Sequence, residues 1–212
     1  MKKIPNWVFY FPILILGINL IYRLIDESKL LFYFPLDHVN DISSYMAQLN
    51  FLKVCGFHEF CPYWYNGFTT FLHSPPGWYF FTYPLYLIFG DVKIATYVSM
   101  VLIFVIAFIL IWYFGKLLNF SRIKRIVFFL FLFANALAIG SFIRLGRVHE
   151  LFAWVIFVAF AFLIFYYKDK VLDKKFYFIV ILYALLILGY MTIAVLASLL
   201  LLGLFLIKTN KE

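Results

Sequence analysis

Six apolar runs, separated by charged or turn-forming stretches, set the pattern of this chain. They fall at about 7–25, 78–89, 94–115, 126–143, 151–167 and 176–207. A helix crossing lipid needs ~20 residues, with ~17 as the lower limit. The run 78–89 is too short to cross alone. The run 176–207 is too long for one ordinary span, and its interior Leu188-Gly189-Tyr190-Met191-Thr192 predicts a break into two short, tilted helices. Lys2 and Lys3 before the run from Trp7 look like the start of a signal peptide. No small-x-small cleavage pattern follows, and the run ends in Tyr22-Arg23-Leu24-Ile25-Asp26, so it reads as an uncleaved first span.

The long polar interval between the first two runs has its own periodicity. Ile42, Tyr45, Met46, Leu49 and Leu52 recur at three and four, with Ser43, Ser44, Gln48 and Lys53 on the other face. This predicts an amphipathic helix over 41–54, started by Asn40 or Asp41, ended by Gly56, and lying in the plane of the interface. Pro62, Gly67 and Pro75-Pro76 punctuate the rest.

Composition turns these runs into a membrane protein. The hydrophobic fraction is 66% and the mean hydropathy +0.98. A soluble domain is nearer ~45–50% apolar. The fold class is therefore an all-α polytopic membrane protein in a lipid bilayer. The net charge of +8 is scattered over the ends of apolar runs. It carries no basic face for nucleic acid and serves as a topology signal.

Short loops rich in Lys and Arg stay in the cytoplasm. The basic clusters are Lys2/Lys3, Lys116/Arg122/Lys124/Arg125, Lys168/Lys170/Lys174/Lys175 and Lys208/Lys211. All four can be cytoplasmic only if one span separates 26–77 from 116, so 78–89 does not cross. The result is one transmembrane domain over 1–212 with about six spans, both termini cytoplasmic, in the plasma membrane. The loop 26–93, the turn Arg144–Glu150 and the break near Gly189 then share the outer face.

Three groups of residues there could carry chemistry. Asp37 and Asp41 bracket a helix start, where a carboxylate can act as a general base or ligate a hard cation such as Mg or Mn; they serve equally as a solvated loop residue and a helix cap. Arg144 and Arg147 offer guanidinium forks for a phosphate, with His149 and Glu150 as a second acid or base. Snorkelling arginines and a helix-capping Glu150 remain the alternative. Cys55 and Cys61 bracket Gly-Phe-His-Glu-Phe; a disulfide comes first, then free thiols, then a Cys55/His58/Cys61 metal site, and no metal ligand is assigned. His38, Trp64, Tyr65 and His73 complete the candidate substrate-binding set; aromatic rings stack on sugars or sit among headgroups. Asn19 and Asn135, inside spans, suit interhelical hydrogen bonding. No Walker loop, nucleophile elbow, zincin helix or dinucleotide fingerprint occurs.

The order of these features resembles a known family. An acid near the start of the first loop is followed by the amphipathic helix, then Pro62-Tyr-Trp-Tyr-Asn-Gly67, then Ser74-Pro-Pro-Gly-Trp-Tyr79 entering an apolar run. Two spans later comes Gly146-Arg147-x-x-Glu150. Over roughly 7–167 this is similar to the N-terminal module of the GT-C glycosyltransferases. It is closest to membrane proteins labelled 6-pyruvoyl-tetrahydropterin synthase-related and to dolichyl-phosphate-mannose-type transferases. The resemblance implies a GT-C-like bundle, a polyprenyl-phosphate-linked sugar donor, an outward active site and inversion at the anomeric carbon. It assigns Asp37 as base, with His38 directly after it and Asp41 four on. Family members are longer, which makes a companion subunit supplying further helices an expected partner. The competing expectations are a non-catalytic or split subunit of a lipid-linked glycan assembly complex, and a small transporter. The spans' near lack of buried charge and of repeats speaks against the transporter.

Overall fold

The computed structural model describes residues 10–33, 41–64, 66–72 and 74–209. The chain is an all-α membrane protein. Helix α1 is Phe11–Tyr33 and α2 is Asp41–Cys55. A two-stranded hairpin follows, β1 Phe60–Cys61 antiparallel to β2 Phe68–Thr69, with Phe60 opposite Thr69. Then come α3 Gly77–Phe89, α4 Val92–Leu117, α5 Arg122–Phe133 and the single turn α6 Ala136–Ala138. A π-helical segment, Ile139–Arg144, leads to α7 Val148–Tyr167, and α8 Tyr177–Gly189 and α9 Met191–Thr209 complete the bundle.

Among the described residues three helices are long and apolar enough to cross a bilayer: α4, α7 and α9. A fourth span exists if α5 and the segment 136–144 count as one, bent by 44°. The sequence predicts a span over 126–143, and the structure breaks that stretch at a bend. Asn135 makes the bend. Its Oδ1 accepts from the backbone N–H groups of Leu137 and Ala138 at 2.9 Å each, while its Nδ2 donates to the Phe131 carbonyl at 2.6 Å. The amide thus caps a new helix and satisfies the end of the old one. It is a local breaker and not the interhelical link expected of it.

At the other expected break, Tyr190 is extended (φ −162°, ψ 116°) and separates α8 from α9. Helix α7 is the centre of the bundle. Its buried side chains face α4 on one side and α8 and α9 on the other. The C-terminal ends of α4 and α7 lie together with the start of α8. Gly189, at the end of α8, packs on Ala153 near the start of α7. The bundle therefore has two ends. We call them the loop end, where α2 lies, and the lysine end.

The amphipathic face of α2 is confirmed in register, with Ile42, Met46, Leu49 and Leu52 buried. It is covered by protein and not by the lipid interface: Leu31 of α1 packs on Ile42 and Met46, with Val92 and Tyr97 of α4 against them. Two tyrosines of α3 tie that helix along α2. Tyr79 donates to Gln48 Oε1 at 2.7 Å and Tyr86 to Asn50 Oδ1 at 2.8 Å. At 13 residues α3 is about 20 Å long, short of a bilayer core.

Candidate functional site

The site is built where a turn and a helix start meet. The π segment ends at Arg144, and Gly146 follows with φ +63°, a conformation that L side chains adopt at a cost. A Cβ on Gly146 would stand 2.5 Å from Ile42 Cβ. Glycine is thus required twice, by the backbone angle and by the approach of α2. The same approach lets the Asp41 N–H donate to the Leu145 carbonyl at 3.1 Å. π-Helical turns recur at functional positions because the extra residue re-aims the chain. Here the turn aims Arg147 at Asp41.

Arg147 bridges two carboxylates. Its Nε lies 3.5 Å from Asp41 Oδ2 and its Nη1 lies 3.6 Å from Glu150 Oε2. The side chains of Asp41, Arg147 and Glu150 are 52%, 45% and 22% exposed, so the cluster is open to a ligand. Glu150 also accepts from Trp154 Nε1 at 3.3 Å. Asp41 sits in the first turn of α2, where a negative charge is favoured by the helix dipole.

Beneath the cluster lies a floor of rings. His149 is buried, 3% exposed, and stacks on Tyr45 with centroids 4.7 Å apart. Tyr79 meets it edge-on at 4.5 Å and Trp78 at 5.4 Å. The two candidates for a second acid or base, His149 and Glu150, face different ways. Successive residues on a helix point about 100° apart, and here Glu150 turns outward while His149 turns in. Its Nε2 and Trp78 Nε1 are both buried with no hydrogen-bond partner. Burial, and then the Asp41 carboxylate, push the Tyr45 hydroxyl up to about 12. Tyr45 is therefore a neutral donor throughout the physiological range.

An apolar groove starts at Glu150. A cavity of about 270 Å³ between the α5–α6 bend and α7 is lined by Leu132, Asn135, Ser141, Glu150, Trp154 and Val158 among others. A second, of about 550 Å³, shares Leu132, Trp154 and Val158 and continues along α7 to Phe165.

Arg144 is exposed at the end of the π segment. Trp64 stands elsewhere, tilted against Phe51 at 6.1 Å and edge-on to Phe68 at 5.7 Å, where it lines a small cavity with Gln48, Thr69 and Ser74. Cys55 and Cys61 are joined as a disulfide with Cα atoms 5.4 Å apart, so neither thiolate is free for a metal. Asp37, His38, Asn40, Tyr65 and His73 lie outside the described residues. Among the described residues no three His, Cys, Asp or Glu side chains converge. Sequence reasoning missed Tyr45 and Trp154, although each lies four residues after a candidate acid, the spacing at which helical neighbours touch. No family model, curated protein or solved structure matches the chain.

Proposed function

We propose that the chain is a GT-C-like membrane glycosyltransferase, moving a sugar from a polyprenyl-phosphate donor to an acceptor at the loop end. The observation that carries the reading is Arg147, which faces Asp41 and Glu150 at the mouth of an apolar groove. Guanidinium is the natural partner of a phosphate, which it engages through two parallel N–H bonds. The groove suits the isoprenoid chain attached to that phosphate. A donor phosphate at Arg147 competes with both carboxylates and releases them, so that Asp41 (or Asp37) accepts the proton of the acceptor hydroxyl. Arg144 helps to position the phosphate, and Glu150 serves as a second acid or base. His149 supports the site from below, holding Tyr45 and, through it, the start of α2. Transfer with a phosphate leaving group demands little beyond alignment and charge stabilisation.

Asp41 and Glu150 also fit a hard divalent cation of the kind held by one or two carboxylates plus substrate phosphate. Such an ion would supply charge neutralisation at the donor phosphate.

A second reading has one observation in its favour. Arg147 is already satisfied by two carboxylates, which suits a subunit that binds lipid-linked glycan without turning it over. Purified protein in vesicles, given undecaprenyl-phosphate-mannose or undecaprenyl-phosphate-glucose together with a membrane glycolipid extract as the source of acceptor hydroxyls, separates the two. The enzyme consumes donor and Arg147→Gln abolishes consumption. The subunit binds donor and leaves it intact. Neither binding nor consumption overturns both.

A further inference from the structure

The lysine end holds a second apolar slot, unconnected with the chemistry proposed above. It has a volume of about 300 Å³ and lies between the C-terminal turns of α4 and α7 and the first turns of α8. Its walls include Tyr113, Phe114, Leu163, Tyr166, Ile181 and Leu182. Small-molecule sites begin at about this size. From His149 to Tyr167 along α7 is roughly 27 Å, nearly the ~30 Å of a bilayer core. The slot therefore opens at the opposite membrane face from the Arg147 cluster.

Each wall carries a lysine within four residues of a lining side chain. Lys116 precedes Leu117 on α4, Lys168 follows Tyr167 on α7, and Lys174 lies four before Phe178 on α8. Lys170 and Lys208 stand at the same end, with the Lys208 ammonium donating to the Lys170 carbonyl at 2.6 Å. Against these five lysines the connecting loop offers Asp169 and Asp173. Asp173 is engaged by the Tyr167 hydroxyl at 2.5 Å. Tyr113 is 63% exposed, placing a phenol at the rim. An apolar slot with basic residues and tyrosines around it matches a lipid with an acyl chain and a negative headgroup.

We infer that this slot binds one acyl chain of an anionic phospholipid, whose phosphate rests on Lys116, Lys168 and Lys174. A lysine near an anionic headgroup favours binding roughly fivefold, so three acting in full distinguish anionic from zwitterionic lipid by about a hundredfold, and two by more than about tenfold. The acyl slot adds what a surface patch of lysines lacks, a requirement for the chain itself.

The test uses the full chain in detergent, titrated with short-chain phosphatidylglycerol, with phosphatidylcholine of the same chains, and with glycerol phosphate, while apparent melting temperature and bound lipid by native mass spectrometry are read. Phosphatidylglycerol is expected to bind at least about tenfold more tightly than phosphatidylcholine, and glycerol phosphate to give no shift. Lys116→Ala/Lys168→Ala/Lys174→Ala should abolish the preference. Leu163→Trp, which fills the slot and keeps the charge, should weaken both lipids. Equal binding of the two lipids, a preference that survives the triple substitution, or a shift from glycerol phosphate alone overturns the inference. A Leu163→Trp variant that keeps full affinity overturns the acyl slot. Donor consumption at the loop end has no bearing on any of these outcomes.

Discussion

Replacing Gly146 by alanine tests whether the close approach of α2 to the Arg147 turn is what builds the site. Two costs combine. An L residue held at φ +63° loses ~1–2 kcal/mol relative to glycine. The new Cβ would stand 2.5 Å from Ile42 Cβ and 3.3 Å from both of its γ carbons. Ile42 is fully buried against Leu31 and Met46, so the conflict is resolved by shifting helices, at ~1–3 kcal/mol. The sum is about 2–5 kcal/mol. For a chain of this size each kcal/mol lowers the melting temperature by roughly 2–4 °C, which puts the expected drop on the order of 10 °C.

Thermal unfolding in detergent, followed by circular dichroism, measures it. Gly203→Ala on α9 is the control, because a Cβ there meets nothing within 4 Å; it should be neutral or slightly stabilising. Adding Ile42→Ala to Gly146→Ala should not restore stability, since the closest clash is with Cβ, which alanine keeps. Melting of Gly146→Ala within a degree or two of the wild type, or rescue by Ile42→Ala, refutes the reasoning.

Other substitutions probe the frame around the site. Glu27, 2% exposed and two residues past the first apolar run, has its carboxyl raised to about 7 by burial, with Asp26 adding to it. A raised carboxyl stabilises the fold fully below its unfolded value near 4.5 and loses that contribution as pH climbs to about 7. Stability should fall across that window, and Glu27→Gln should flatten the slope; a wild type with no slope there refutes it. Arg125 stacks its guanidinium 4.2 Å from the Trp112 ring centre and donates Nη1 to the Trp112 carbonyl at 2.9 Å. Lysine has no planar fork to lie on the ring while donating to the carbonyl, so Arg125→Lys should cost about 1–3 kcal/mol in a denaturant melt, and a neutral result would sink that role. The Cys55–Cys61 bridge closes a short loop, so Cys61→Ser should lower stability by about 2 kcal/mol and open the hairpin to protease, whereas unchanged proteolysis would show that the bridge is dispensable.

Much of the architecture was legible because apolar length is a strong signal in lipid. The break at Tyr190 showed through Gly189, and the buried face of α2 through its spacing of three and four. What α2 packs on did not show, because an apolar stripe names no partner, and protein covers Ile42 where a lipid interface was expected. The bend at Asn135 was hidden for a related reason. A lone asparagine in an apolar run either links helices or breaks its own, and only the geometry of its amide decides. The Asp41–Arg147 pair was reachable only through the order of motifs, since no local pattern joins positions so far apart. His149 and Glu150 could not be told apart by adjacency: neighbours in sequence diverge on a helix, so one side chain went to the floor while the other stayed near the surface.

The charge at the site carries one further expectation under the proposed function. Two carboxylates face one guanidinium, so the cluster is already on the negative side of neutral before a ligand arrives. A donor phosphate that takes Arg147 leaves Asp41 and Glu150 uncompensated beside it. Like charges about 4 Å apart repel by roughly 4 kcal/mol at the effective dielectric of a protein surface. A fold that binds the donor tightly must offset that repulsion, and a divalent cation held by Glu150 and one oxygen of Asp41 would do so, leaving the other Asp41 oxygen for the acceptor proton. Binding of undecaprenyl-phosphate-mannose is therefore expected to be at least about tenfold tighter with Mg²⁺ than with EDTA. Asp41→Asn, which removes one of the opposing charges, should bind donor comparably in both and lose transfer. Donor affinity that is the same in EDTA and Mg²⁺ for the wild type would mean that Arg147 alone holds the phosphate while the carboxylates stay apart from it. Asp41 would then have no place next to the leaving group.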